Sequence, residues 1–385
     1  MHLRLCGTLL CLTSPLPLFS ADIDAVLQSA IGPKGIPLVA AMVATRDKVV
    51  YQGAHGEASL DSVFRIYSMT KPITTVAAMQ LVEQGKLDLD APASRYLPEL
   101  ARLQILTGYD AGKHPILKAA SHQPTLRQLL SHTSGYGYNL WDENLARYPG
   151  ADDPLRAPLV SEPGTKWQYG VSTDVIGLIV ERVSGQSLEE YFQQHIFRPL
   201  SMSDTSFFPN AAMQARLVKR AVRQPDGTYK EEQVPMPKQI RTHGGGGLLS
   251  TAGDYVRFMQ MFLRGGQGIL KPATVESMRQ NQIGALNVRR MITTDPAVSR
   301  DFGFHIEAGD KFGFGFQVNP TAYRNGRAAN SMAWAGLWNT FFWIDPQSNL
   351  CAVILMQSSP FFDEPSIRTL QAFEEAVYAK NRQAF

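Results

Sequence analysis

The sequence predicts an α+β fold, an α/β sandwich in which one antiparallel sheet built from both termini is flanked by helices and carries an inserted, mostly helical region. Three observations predict it. Short apolar or alternating runs cluster in residues 38–53 and again in residues 312–357. The ground between is dominated by helical spacing and loops. An amphipathic segment stands at each end of the chain.

In chain order, Asp22–Ile31 places Ile23, Val26, Leu27 and Ile31 at helical spacing and stops at Gly32-Pro33. Leu38–Thr45 and Val49–Gly53, parted by the polar turn Arg46-Asp47-Lys48, predict a hairpin. Ser68–Gln84 is a strong helix closed by Gly85. Thr125-Leu-Arg-Gln128 is a capping box opening a short helix. Asp174–Ser184 and Leu188–Ile196 continue the helical region, and Thr251-Ala-Gly-Asp254 starts a helix through Leu263. The runs Phe312–Val318, Ser331–Trp334, Thr340–Ile344 and Leu350–Gln357 form an antiparallel meander, and Ser366–Ala379 closes the chain as a helix. The expected organisation is a leader at 1–21, a sheet domain from 22–90 plus 305–385, and a helical region at 91–304.

The 385 residues, 44% hydrophobic and 18% charged, have the composition of an ordinary globular protein. A net charge of +3 with scattered basic residues argues against a nucleic-acid groove. No later stretch is apolar for long enough to span a membrane. The first residues, with Arg4, an apolar stretch and small residues at Ser20 and Ala21, resemble a secretory signal, although Pro15 and Pro17 interrupt it. That predicts a periplasmic or secreted enzyme; the alternative is a cytoplasmic one. Of three cysteines, Cys6 and Cys11 fall in the leader, so the mature chain keeps Cys351 alone, in a buried strand.

The chemistry-bearing feature is Ser68-Met69-Thr70-Lys71 at a helix start. A spacing of three puts both side chains on one helix face. The helix N-terminus favours a developing alkoxide, and a nearby amine can take the serine proton. Taken alone, the pair is better read as an N-cap and a solvated first-turn lysine. Two features tip the balance: the apolar approach Val63–Tyr67, and a lysine standing where the helix dipole disfavours it.

The segment Phe64–Lys71 resembles the nucleophile region of the class C β-lactamase and family VIII carboxylesterase superfamily. Gln80–Asp90, Thr125–Gly135, Pro163–Tyr169 and Gly244–Phe258 resemble its further landmarks, in order. The look is nearest to family VIII esterases and the related lovastatin acyltransferases, the latter also around Tyr169-Gly170 and Asp345–Gln357. The resemblance implies a serine hydrolase needing no cofactor or metal. Ser68 is then the nucleophile, and Lys71 and Tyr169 handle protons. Trp334-Ala335-Gly336 is the third motif, and the backbone N–H groups of Ser68 and Leu337 form the oxyanion hole. Which of Lys71 and Tyr169 takes the serine proton stays open.

Two departures from the lactamase pattern bear on substrate. Val171 stands where lactamases carry an asparagine, and Trp334 where they carry a cation. Both exchange polar contacts for apolar ones, which favours short, uncharged carboxylic esters, with weak β-lactam hydrolysis still chemically open. A β-lactamase or an acyltransferase on the same fold is the alternative, and a catalytically inactive ligand-binding protein a more distant one. His132 fits a loop-satisfying role, no G-x-S-x-G elbow is present, and the eight histidines show no zinc-binding spacing. The glycines at 244–247 suggest a close-approach loop.

Overall fold

The computed structural model describes residues 17–236, 242–304 and 308–379. Most of the expected leader, residues 1–16, lies outside them. The helices that cover the sheet or hold the site are α1 (Pro17–Ala30), α2 (Thr70–Glu83), α3 (Ser172–Ser184), α4 (Ala252–Leu263) and α5 (Glu364–Tyr378). The main sheet is seven-stranded. Its members are β1 (Leu38–Ala44), β2 (Val49–Gly56), β3 (Lys311–Phe312), β4 (Gln317–Val318), β5 (Met332–Gly336), β6 (Thr340–Asp345) and β7 (Leu350–Leu355). The order is β2-β1-β7-β6-β5-β4-β3, with every neighbouring pair antiparallel. The N-terminal hairpin therefore docks on the last strand of the C-terminal meander, with Val43 opposite Ala352. This is the α+β architecture that the sequence predicts.

Strand β7 is buried at every position, so both sheet faces are covered. Successive strand residues point to opposite faces, and β6 shows what lies on each. Phe342 meets Tyr255 of α4, with ring centroids 5.0 Å apart. Its neighbour Trp343 meets Phe373 of α5 at 5.5 Å and donates its indole N–H to the Tyr378 hydroxyl at 3.1 Å. Helix α1 packs beside α5 and β2. Among the described residues no helix is long and apolar enough to cross a membrane.

The middle of the chain does more than interrupt the sheet. It supplies α4, one of the covering layers, and two hairpins that the helical expectation for residues 91–304 omits: Gln104–Tyr109 with Pro115–Ala119, and Arg220–Arg223 with Tyr229–Glu232. Pro115–Ala119 lies almost wholly in solvent, so it has no alternating apolar face to betray it. The run Phe312–Val318 is likewise two strands, because Gly313 donates to the Phe316 carbonyl at 2.8 Å and turns the chain back on itself.

One buried ion pair clamps α5 to the loop before β5. Arg327 donates Nη2 to Glu374 Oε2 at 2.7 Å and Nε to Oε1 at 2.9 Å, with both side chains about nine-tenths buried. Removing the carboxylate leaves the guanidinium without its bidentate acceptor, a loss of about 3–5 kcal/mol for buried pairs. Glu374→Ala should lower the unfolding free energy by that amount in urea titrations. A change below about 1 kcal/mol would show that solvent reaches the pair.

Candidate active site

Ser68 sits in a tight turn, Tyr67–Met69, that runs directly into α2. The helix proper begins at Thr70, two residues later than the sequence suggests, because Tyr67 adopts a left-handed backbone (φ 43°). That conformation is uncommon for a bulky residue and is typical of strained functional turns. The helix is capped by Met69 without side-chain help, so Ser68 is no structural cap. Its hydroxyl faces Lys71, Nζ to Oγ 3.1 Å.

Lys71 is only 1% exposed. Its ammonium donates to Ser68 Oγ, to the Gly245 carbonyl at 2.7 Å and to the Tyr138 hydroxyl at 3.0 Å. It also stands 4.9 Å from the Tyr169 ring centre and 5.2 Å from that of Tyr138. These partners answer why a lysine can occupy the first helical turn. The glycines at 244–245 are part of the answer. A Cβ on Gly244 would lie 2.2 Å from the Thr173 carbonyl, and one on Gly245 2.3 Å from an Asp174 carboxylate oxygen. Only glycine lets this loop come close enough for its carbonyls to reach Lys71 and Thr74.

Tyr169 and Trp334 are both buried and touch, with the indole N–H of Trp334 donating to the Tyr169 hydroxyl at 3.2 Å. The phenol bonded directly to Lys71 is Tyr138, which sequence reasoning missed. Tyr138 follows the Thr125–Gly135 landmark by three residues and carries no motif of its own. Its hydroxyl faces the carboxylate of Asp174, in the first turn of α3. Burial first, then the charges of Asp174, Tyr169 and Asp152, hold its pKa well above the usual phenol value. Asp174 in turn accepts from the Gly245 N–H at 3.0 Å, with His243 Nδ1 3.9 Å away. His132 lies behind Tyr169, ring centres 4.8 Å apart. Burial, aided by the Lys71 charge, pushes its pKa well below the ordinary imidazole value, so it is neutral at neutral pH.

Ser68, Tyr138, Tyr169 and Asp174 line a cleft of about 370 Å³. Tyr67, Tyr138, Trp141, Tyr169, Phe302, Trp334 and Phe361 wall it, with Val171, Ala335 and Leu337 between them. Its polar side carries Asn139, Asp152, Asp174 and His243, and among the described residues no lysine or arginine lines it. Ser68 and Leu337, whose N–H groups the resemblance implies as the oxyanion hole, both line it. Gly336 does not. A Cβ there would lie 2.1 Å from the Ile66 carbonyl and 2.5 Å from Thr340 Oγ1, so this glycine lets the nucleophile segment approach.

Comparison with known proteins fits this geometry. A family model described as Beta-lactamase matches residues 23–376. A lovastatin esterase of Penicillium rubens is 31% identical, over 88% of this chain and 90% of its own. A monacolin J acid methylbutanoyltransferase of Aspergillus terreus is 29% identical, over 84% of each chain. A solved mutant of the simvastatin synthase of Aspergillus terreus superposes with a TM-score of 0.83 at 27% identity, over 95% of this chain and 96% of the other.

Proposed function

The chain belongs to the β-lactamase family, and from that premise we propose that it moves a short, uncharged acyl group from an ester onto Ser68 and then to an alcohol, or to water where no alcohol is bound. It is an enzyme of the serine hydrolase and acyltransferase type. The sequence alone favours hydrolysis, with transfer among its alternatives. Acyltransferases among the relatives favour the reverse order. The observation that carries the proposal is Lys71 Nζ at 3.1 Å from Ser68 Oγ, with Ser68 lining an aromatic-walled cleft.

Lys71, as the free amine, takes the hydroxyl proton while Ser68 Oγ bonds to the acyl carbon. The N–H groups of Ser68 and Leu337 carry the oxyanion. Trp334 donates to the oxygen of Tyr169, which leaves the phenol's own proton free for the departing alkoxide. Tyr169 regains a proton from Lys71, and the steps reverse when an alcohol or water attacks the acyl-enzyme.

Aromatic walls favour hydrocarbon by about 0.8 kcal/mol per buried methylene. Among the described residues a lactam carboxylate finds no lysine or arginine on the cleft wall and meets Asp152 and Asp174. The missing charge-assisted bond is worth roughly 1.5–3 kcal/mol. The expected kcat/KM for p-nitrophenyl butyrate exceeds that for nitrocefin by at least about a hundredfold. In the same assay with added cyclohexanol, butyrate release should fall below p-nitrophenol release as cyclohexyl butyrate forms. Equal or faster nitrocefin turnover would promote the lactamase reading. Butyrate matching p-nitrophenol at every alcohol concentration would restrict the enzyme to hydrolysis.

A further inference from the structure

We propose that Tyr138 and Asp174 form the path by which Lys71 becomes a free amine before attack, so that Tyr138 is a catalytic residue and Asp174 a positioning and proton-accepting one. The inference rests on the acyl-enzyme reading above. There, Lys71 must hold a lone pair, yet in the structure its three contacts can all accept from it: Ser68 Oγ, the Gly245 carbonyl and the Tyr138 hydroxyl. Three acceptors suit an ammonium, which has three N–H donors and no lone pair. The site can hold a charged Lys71, and from that form the reaction needs somewhere for one proton to go.

Ser68 is the group to be deprotonated and a carbonyl binds protons far too weakly, which leaves Tyr138. Its oxygen accepts from Lys71, and its hydroxyl faces Asp174. Burial and the neighbouring carboxylates oppose the phenolate, so the phenol conducts a proton without keeping the charge. The step balances. An N–H bond of Lys71 breaks as an O–H bond forms at Tyr138, and the original Tyr138 proton bonds to Asp174. Lys71 is then a neutral amine and Asp174 a neutral acid. As Ser68 Oγ attacks, its proton passes to Lys71, and the route is restored after the leaving group is protonated. Such contacts tighten when substrate excludes water.

Asp174 is held for this task. Gly245, whose carbonyl binds Lys71, donates its own N–H to Asp174 Oδ1. One residue of the glycine loop therefore spaces the base from its proton store. The charged and titratable groups that face the pair are Lys71, Tyr169, Asp152 and His243.

The test compares the wild type with Tyr138→Phe, Asp174→Asn and the double variant, using p-nitrophenyl butyrate from pH 6 to pH 10. Each single variant should lose about a hundredfold in kcat at pH 7 with KM within about threefold, and the double should be no worse than the poorer single. Without the internal path Lys71 must discharge to solvent. The deficit should therefore shrink at least about tenfold between pH 7 and pH 10, a recovery that a merely structural defect would not give. Tyr138→Phe keeps the ring and decides alone if thermal melting shows Asp174→Asn misfolded. Tyr138→Phe within about threefold of wild type at pH 7, or a deficit that stays constant with pH, overturns the proposal. Loss of the acyl-enzyme reading would look different, because wild type itself would then form no Ser68 adduct.

Discussion

Replacing Ser68 by alanine should lower turnover of p-nitrophenyl butyrate by at least about ten-thousandfold, the scale on which removing a covalent nucleophile acts. A fluorophosphonate should add once to the native chain, on the peptide that carries Ser68. The side chain is partly exposed, sits on a strained turn and caps nothing, so the variant should melt within a degree or two of wild type. Activity and stability then separate cleanly. Intact mass before and after labelling, followed by peptide mapping, checks the site. Label on another serine, or a Ser68→Ala variant keeping a tenth of its activity, would sink the assignment.

The next largest loss is expected from Lys71. Methionine is the informative replacement, because it fills the space of a side chain that is 1% exposed. It removes the donor to Ser68 Oγ, Gly245 O and Tyr138 Oη together. Lys71→Met should cost about a thousandfold in kcat, some 4 kcal/mol of barrier at 1.36 kcal/mol per decade. Tyr169→Phe, which leaves the Trp334 N–H without its acceptor, should cost about a hundredfold. In the proposed proton circuit the two groups act together, so the double variant should be close to Lys71→Met alone. Multiplicative losses in a double-mutant cycle would instead assign the two residues to separate steps.

Much of this site is legible in the sequence because its parts are local. Ser68 and Lys71 announce themselves by a helical spacing of three. Tyr169 and Trp334 lie in segments whose resemblance to known motifs is continuous, and the structure brings both within reach of the cleft. Tyr138 and Asp174 are not legible in that way. Neither is close in sequence to Lys71: Tyr138 reaches it from a loop, and Asp174 stands behind Tyr138 on α3, which packs on α2. Gly336 is a further case. Its smallness is readable, but what approaches it is the Ile66 carbonyl, a neighbour that no local pattern supplies. The sheet follows the same division. Alternation and fully apolar runs mark β1, β6 and β7, whereas the exposed hairpin at Pro115–Ala119 leaves no trace because nothing packs on it.

The pairing of β1 with β7 has a consequence for how the protein comes to exist. Strand β1 is buried at all of its positions, and its partner on one side is the seventh strand of the sheet. A ribosome delivers the N-terminal hairpin long before residues 350–355 leave the exit tunnel. At roughly 5–20 residues per second, that apolar edge waits on the order of tens of seconds for its mate. Contacts so distant in sequence also slow the search for the native state. The nascent chain therefore spends its synthesis as an open-edged client of whatever holds unfolded segments apart, and it becomes an enzyme only in its last moments.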